Sequence, residues 1–158
     1  RIFNAFGTRS KTEGTYGAVF GVFLKQKLSN KSFTVVGNGN QKRDFINVKD
    51  LVNAFFLVYK KNKFGHTFNV GSGKPVSINS LVKILDKKYE NIPKRPGEPD
   101  VTHANIRKIQ QLTGWRPKIL FKDGIYEILN NISYWKDAPL WSKQKIKVAT
   151  KSWFKYLK

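Results

Sequence analysis

Apolar residues recur along this chain in short bursts with two different periods. Val19, Phe20, Phe23, Leu24 and Leu28 fall at helical spacing over Tyr16–Leu28, although Gly17 and Gly21 weaken that stripe. Leu51, Val52, Phe55, Phe56 and Tyr59 form a second stripe behind Asp50, a plausible helix cap. Ser77 precedes a third (Ile78, Leu81, Val82, Leu85), and Asn105 and Gly114 bracket a fourth helix over Ile106–Thr113. Ile125, Ile128, Leu129 and Ile132 make the fifth. A last helix starts at Ser142 and carries Ile146, Ala149, Trp153 and Leu157 on one face. Between the stripes lie short extended runs, Arg1–Phe3, Phe33–Val36 and Phe68–Val70, the last two ended by Gly37-Asn-Gly39 and Gly71-Ser-Gly73. Strands alternating with helices predict an α/β fold. The segment Tyr134–Trp141, with two tryptophans and a proline, reads as a packed aromatic clasp.

A length of 158 residues with 40% hydrophobic content suits one domain with a real core. No apolar run approaches the length of a membrane span. There is no cysteine, and His66 and His103 lie far apart, so neither disulfides nor metal-ligand spacing is present. The sequence also has no methionine, even at position 1, and is expected to be a fragment or a processed chain.

The net charge of +20 raises the question of nucleic acid. Arginine accounts for only six of the 30 basic residues (1, 9, 43, 95, 107 and 116). Base-specific readers lean on arginine forks, and the remaining lysines form no compact basic arm. The expectation is a solvated lysine field with no specific nucleic-acid partner.

Candidate chemistry sits in two places. In Gly39-Asn-Gln-Lys-Arg-Asp-Phe45 a glycine turn leads to Arg43 at a strand start, a backbone-held cation suited to phosphate. Asp44 can orient that guanidinium or cap a turn. In Arg95-Pro-Gly-Glu98, Pro93 and Pro96 stiffen the chain around Arg95, and Glu98 offers two acceptors that suit ribose hydroxyls.

These motifs, with Arg1-Ile-Phe-Asn-Ala-Phe-Gly7, Phe68-Asn-Val-Gly-Ser-Gly73, Pro93–Asp100 and Gly114-Trp-Arg-Pro117, resemble the C-terminal half of a nucleotide-sugar epimerase or dehydratase of the extended short-chain dehydrogenase/reductase superfamily. The resemblance runs from Arg1 to about Leu157. It implies that residues 1–158 are the substrate-binding portion of a Rossmann-type enzyme, with short strands and five to six helices, the cofactor-binding part being absent. It implies Phe3 against the nicotinamide of NAD and Asn4 on the sugar diphosphate. Ala18, Thr34 and Val36 would flank the base, Arg43 and Arg95 would hold the diphosphate, and Glu98 would meet the ribose with Thr102 nearby. The implied parent is a cytoplasmic, homodimeric UDP-hexose 4-epimerase, with a 4,6-dehydratase as the rival within the superfamily and a basic nucleic-acid-binding module as the rival outside it.

The chain departs from the family pattern at Asn38, Asn40, Asn47 and Asn105. The glycine-rich phosphate loop does not occur, since Gly71-Ser-Gly73 is followed by Val76 outside any βαβ unit. The catalytic Tyr-x-x-x-Lys pair would lie before Arg1. Tyr59-Lys-Lys-Asn-Lys63 matches its spacing, but in a chain with 24 lysines such a match arises by chance, and it falls after Arg43. No catalytic residue is therefore expected in this chain, which should be inactive alone.

Overall fold

The computed structural model describes residues 1–14 and 19–157. It is a mixed α/β structure. In chain order the elements are β1 (Asn4–Phe6), α1 (Val19–Leu28), β2 (Phe33–Val36), β3 (Lys42–Arg43), β4 (Phe45–Asn47), α2 (Val48–Lys60), β5 (Val76–Ser77), α3 (Ile78–Leu85), β6 (Tyr89–Ile92), α4 (Arg107–Thr113), α5 (Phe121–Asn130), α6 (Lys143–Ala149) and α7 (Lys151–Tyr156), with a 3₁₀ turn at Ile132–Trp135.

The strands pair in three short ribbons. β1 runs parallel to β4 in the register Asn4↔Phe45 to Phe6↔Asn47, and β2 runs parallel to β6 from Phe33↔Tyr89 to Val36↔Ile92. β3 lies antiparallel to β5. The expected strands Arg1–Phe3 and Phe68–Val70 shrink to one parallel bridge, Ile2↔Val70, and the regular strand starts instead at Asn4. β6 gave no signal in the sequence because only Ile92 of its four residues is buried.

The core has two parts. The larger is built around four rings from four elements: Phe6 stacks on Phe20 at 4.7 Å, Phe45 stacks on Phe121 at 5.3 Å, and Phe6 meets Phe45 edge-on at 6.4 Å. α3 inserts Ile78, Leu81, Val82 and Leu85, and α5 adds Ile125 and Ile128. Two helical glycines make this closeness possible. A side chain at Gly21 would strike the Ser10 and Lys11 carbonyls, and one at Gly124 would strike the Phe6 ring. Gly21 lowers helix propensity but admits a crossing backbone. α1 is buried nearly all round, through Phe20 to Leu24, so its apolar stripe is less distinct than a surface helix would show.

The smaller core holds Ile46, Leu51, Ala54, Phe68, Val70, Ile109 and Trp115. Here the expected cap is corrected. Asn47 caps α2, accepting the Lys49 N–H at 2.9 Å. Asp50 lies inside the first turn, buried, where its carboxylate accepts the Lys118 and Ile119 N–H groups and its carbonyl accepts Trp115 Nε1–H. That anchorage explains the Gly114-Trp-Arg-Pro117 block, which docks onto α2. Gly114 takes the left-handed C-cap conformation (φ 75°), and Asn105 accepts the Arg107 N–H just ahead of α4.

The stripe expected on α2 is also corrected. Leu51 faces the core, but Val52, Phe55, Phe56 and Tyr59 are 58–70% exposed and form an apolar outer face. The last predicted helix breaks at Thr150, whose hydroxyl donates to the Ile146 carbonyl, so seven α-helices stand among the described residues where five to six were expected. Its inward face is Ile146, Thr150 and Trp153; Ala149 and Leu157 point outward. Among the described residues no helix is long and apolar enough to cross a membrane.

Candidate functional site

A cavity forms where β1, α1, β2 and β3 meet the Arg95–Glu98 turn. Asn4, Thr34, Val36, Arg43, Arg95 and Glu98 all line it, together with Trp141 and Ile146 from the C-terminal segment. The space enclosed is about 120 Å³. That is close to the roughly 150 Å³ cavity known to accept a benzene ring, and below the roughly 300–1,000 Å³ of pockets that hold a whole ligand. It has room for a flat ring and is partly open to solvent.

Three charged groups share one edge. Arg43 Nη2 donates to Glu98 Oε1 at 2.8 Å, and Arg95 Nε lies 3.9 Å from Glu98 Oε2. All three side chains are at most 23% exposed. Two guanidinium groups around one carboxylate leave an uncompensated positive charge, which suits an anion held by paired donors. Arg43 Nη1 also donates to the Lys42 and Pro99 carbonyls. Three of the five donors of its guanidinium are thus engaged among the described residues. Glu98 Oε2 is buried and accepts no hydrogen bond among the described residues. An acceptor so placed costs about 1–3 kcal/mol unless a partner meets it.

The walls are fixed by polar ties. Gln26 donates Nε2–H to Thr34 Oγ1 at 2.9 Å and accepts the Thr34 N–H. Gln41 donates to the Val36 carbonyl. Thr102 donates to Asn4 Oδ1 at 3.1 Å and accepts the Asp44 N–H, so it holds Asn4 from behind without lining the cavity. The Asn38–Asn40 turn is closed by the Asn40 N–H on Asn38 Oδ1 and by Asn79, which donates to Asn40 Oδ1. Beyond it Lys94 pairs with Asp100 and holds that carboxyl below the ordinary carboxylate range.

Asp44 contacts neither guanidinium. It is fully buried and accepts from the Ser72, Gly73 and Ala104 N–H groups and the Ser72 hydroxyl. This bears directly on the expected cofactor contact. The N–H groups that a glycine turn would offer to a pyrophosphate are, at Ser72 and Gly73, already directed at Asp44. Phe3 is half-buried, donates its N–H to the Val70 carbonyl, and does not line the cavity. These residues do not make a dinucleotide cradle.

Of the nine expected site residues, six therefore line one cavity, Phe3 and Thr102 stand outside it, and Ala18 lies outside the described residues. Tyr59 is 70% exposed on the outer face of α2, against Phe64. No sequence signal marked Gln26, Gln41, Trp141, Ile146 or Trp153 for this site. Among the described residues no three His, Asp or Glu side chains could hold a metal ion.

The family model for GDP-mannose 4,6 dehydratase matches residues 1–128. A Methanocaldococcus jannaschii protein provisionally named UDP-glucose 4-epimerase is 34% identical over 137 residues, which are 82% of this chain and 43% of that protein. The dTDP-4-dehydro-6-deoxyglucose reductase of Escherichia coli is 29% identical over 139 residues, 84% of this chain and 43% of the enzyme. Among solved structures, a UDP-glucuronic acid 4-epimerase variant of Bacillus cereus, in complex with UDP-4-deoxy-4-fluoro-glucuronic acid and NAD, superposes with a TM-score of 0.76 at 27% identity. The match covers 84% of this chain and 44% of that one. The chain thus spans under half the length of these relatives. With the family model matched over most of its residues, it belongs to the NAD-dependent nucleotide-sugar epimerase/dehydratase family of the extended short-chain dehydrogenases/reductases.

Proposed function

We propose that this chain is the nucleotide-sugar-binding part of an NAD-dependent epimerase acting on a UDP-hexose. The observation that carries the reading is the convergence on one cavity edge of Arg43, Arg95 and Glu98, whose Oε2 accepts no hydrogen bond among the described residues. The UDP-sugar bound in the superposed Bacillus cereus 4-epimerase favours UDP over GDP, despite the dehydratase name of the matching family model. In this reading Thr34 and Val36 flank the base, and Glu98 Oε2 accepts a ribose hydroxyl. Arg43 and Arg95 grip the diphosphate, while Asn4, fixed by Thr102, meets the diphosphate on the sugar side. Phe3 borders a nicotinamide held mainly by a cofactor-binding part that this chain does not supply. A 4-epimerase is preferred to a 4,6-dehydratase because the Bacillus cereus structure that superposes on this chain is that of a UDP-sugar 4-epimerase. The chain alone is inactive in this reading, and the complete protein is a cytoplasmic homodimer.

The test is saturation-transfer NMR of UDP and GDP on the purified chain. UDP should bind in preference to GDP. A hydrogen bond to a charged group contributes about 1.5–3 kcal/mol, so Arg43→Ala or Arg95→Ala should weaken UDP about ten- to hundredfold. Arg43→Lys should not restore it, since the forked geometry is lost, and Arg107→Ala should bind as wild type. Equal binding of UDP and GDP, or unchanged UDP affinity in both Arg43→Ala and Arg95→Ala, would refute the assignment.

A further inference from the structure

The family model ends at residue 128, yet the chain continues through α6 and α7 and folds back over the cavity. Trp141 and Ile146 form part of its wall. Four polar ties hold the segment down. Lys25 Nζ donates to the Lys136 carbonyl at 2.7 Å, Gln26 Nε2–H to the Trp141 carbonyl at 3.3 Å, Lys143 Nζ pairs with Glu90 at 2.7 Å, and Lys145 Nζ pairs with Glu13 at 2.9 Å. The Gln26 amide that reaches Trp141 is the same one that fixes Thr34, so strap and base-side wall share a tether. At the far end of the strap the Trp153 ring lies against Arg95, 5.7 Å from ring centroid to guanidinium carbon.

We propose that residues 136–157 are a strap over the nucleotide pocket and that Trp153 is a positioning residue for Arg95. The inference rests on the proposed nucleotide site. A guanidinium seated on an indole face is attracted by the ring quadrupole and loses freedom to swing out. The guanidinium keeps the forked donor geometry that matches a phosphate. The constraints on Arg95 thus include the proline-flanked backbone below and an aromatic platform beside it. Arg43 reaches the same end by donating to the Lys42 and Pro99 carbonyls. Trp153 thus acts on the phosphate end of a ligand and not on its base.

The experiment compares UDP with uridine by saturation-transfer NMR on the wild-type chain, Trp153→Leu, Trp153→Phe and Arg95→Ala. Leucine keeps apolar volume without a π face; phenylalanine keeps the face. Trp153→Leu should weaken UDP about 3- to 30-fold and leave uridine unchanged, and Trp153→Phe should recover most of the loss. Equal weakening of UDP and uridine, or equal behaviour of the leucine and phenylalanine variants, would make Trp153 a packing residue and overturn the proposal. So would a Trp153→Leu variant that binds UDP normally while Arg95→Ala does not. If neither ligand binds the wild-type chain, the nucleotide site itself fails, which is a separate result.

Discussion

Asp44→Asn should destabilise this chain by about 3–5 kcal/mol, although the substitution changes one atom and touches no ligand. Asp44 is 0% exposed and joins three stretches of chain distant in sequence. Its Oδ1 accepts the N–H and the hydroxyl of Ser72, and its Oδ2 accepts the Gly73 N–H at 3.0 Å and the Ala104 N–H at 2.9 Å. An asparagine can keep the two bonds at Oδ2 with its carbonyl and donate to the Ser72 hydroxyl with its amide. The Ser72 N–H then faces a second donor. One charge-assisted bond is lost, about 1.5–3 kcal/mol, and one buried N–H is left unmet, about 1–3 kcal/mol. Two-thirds of that sum already exceeds the ordinary surface substitution, which stays within about 0.5 kcal/mol. Against a total stability of about 5–15 kcal/mol for a domain, the loss is large. The assay is urea unfolding followed by tryptophan fluorescence, with Asp100→Asn as the exposed control. A fall in midpoint at constant slope is expected for Asp44→Asn and none for the control. Hydrogen exchange at the Ser72, Gly73 and Ala104 amides should accelerate in parallel. An Asp44→Asn midpoint equal to that of Asp100→Asn would show that the four contacts are not a stabilising anchor.

Two further outcomes follow from the surface. The exposed face of Val52, Phe55, Phe56 and Tyr59 should drive concentration-dependent self-association and dye binding, which Phe55→Lys with Phe56→Lys should suppress; a monomeric, dye-silent wild type would contradict this. Nucleic acid should bind weakly, without sequence preference, and dissociate as salt approaches the physiological range; a preference among several duplexes that survives the higher salt would revive direct base reading.

What the sequence disclosed depended on whether a residue's role was local. Ser77 and Ser142 cap the helices they precede because the capping oxygen and the N–H it accepts lie three residues apart. The α3 stripe is likewise a local periodicity, and all four of its residues are buried. Asp50 and Asn47 exchanged roles for a reason no local rule contains. The Asp50 carboxylate is wanted by Lys118 and Ile119, almost 70 residues away, and that demand draws it inside the helix. The same holds at the site. Arg43 and Arg95 stood out because glycine and proline mark a held backbone, and the resemblance set Glu98 on the ribose beside them. The meeting of all three joins positions 43 and 98 and had no local mark. Trp153 and Gln26 carried no mark, since a tryptophan on a helical stripe and a glutamine inside an apolar helix have many ordinary explanations. The α2 stripe misled because periodicity reports which residues share a helix face, not whether the described chain covers that face.

The charge of the molecule and the charge of its cavity carry different information. A net +20 spread over exposed lysines is screened within about 8 Å at physiological ionic strength, so it raises encounter rates with any polyanion and selects none. Arg43 and Arg95 are two of the 30 basic residues, but they are largely withdrawn from water and held by a carboxylate, two carbonyls and an indole ring. A cation that is already desolvated and oriented pays little further cost when an anion arrives, and salt screens it less. In the proposed nucleotide site, selectivity therefore resides in two side chains whose freedom the fold restricts: Arg43, held by the Lys42 and Pro99 carbonyls and Glu98, and Arg95, set between a proline-rich turn and the Trp153 ring.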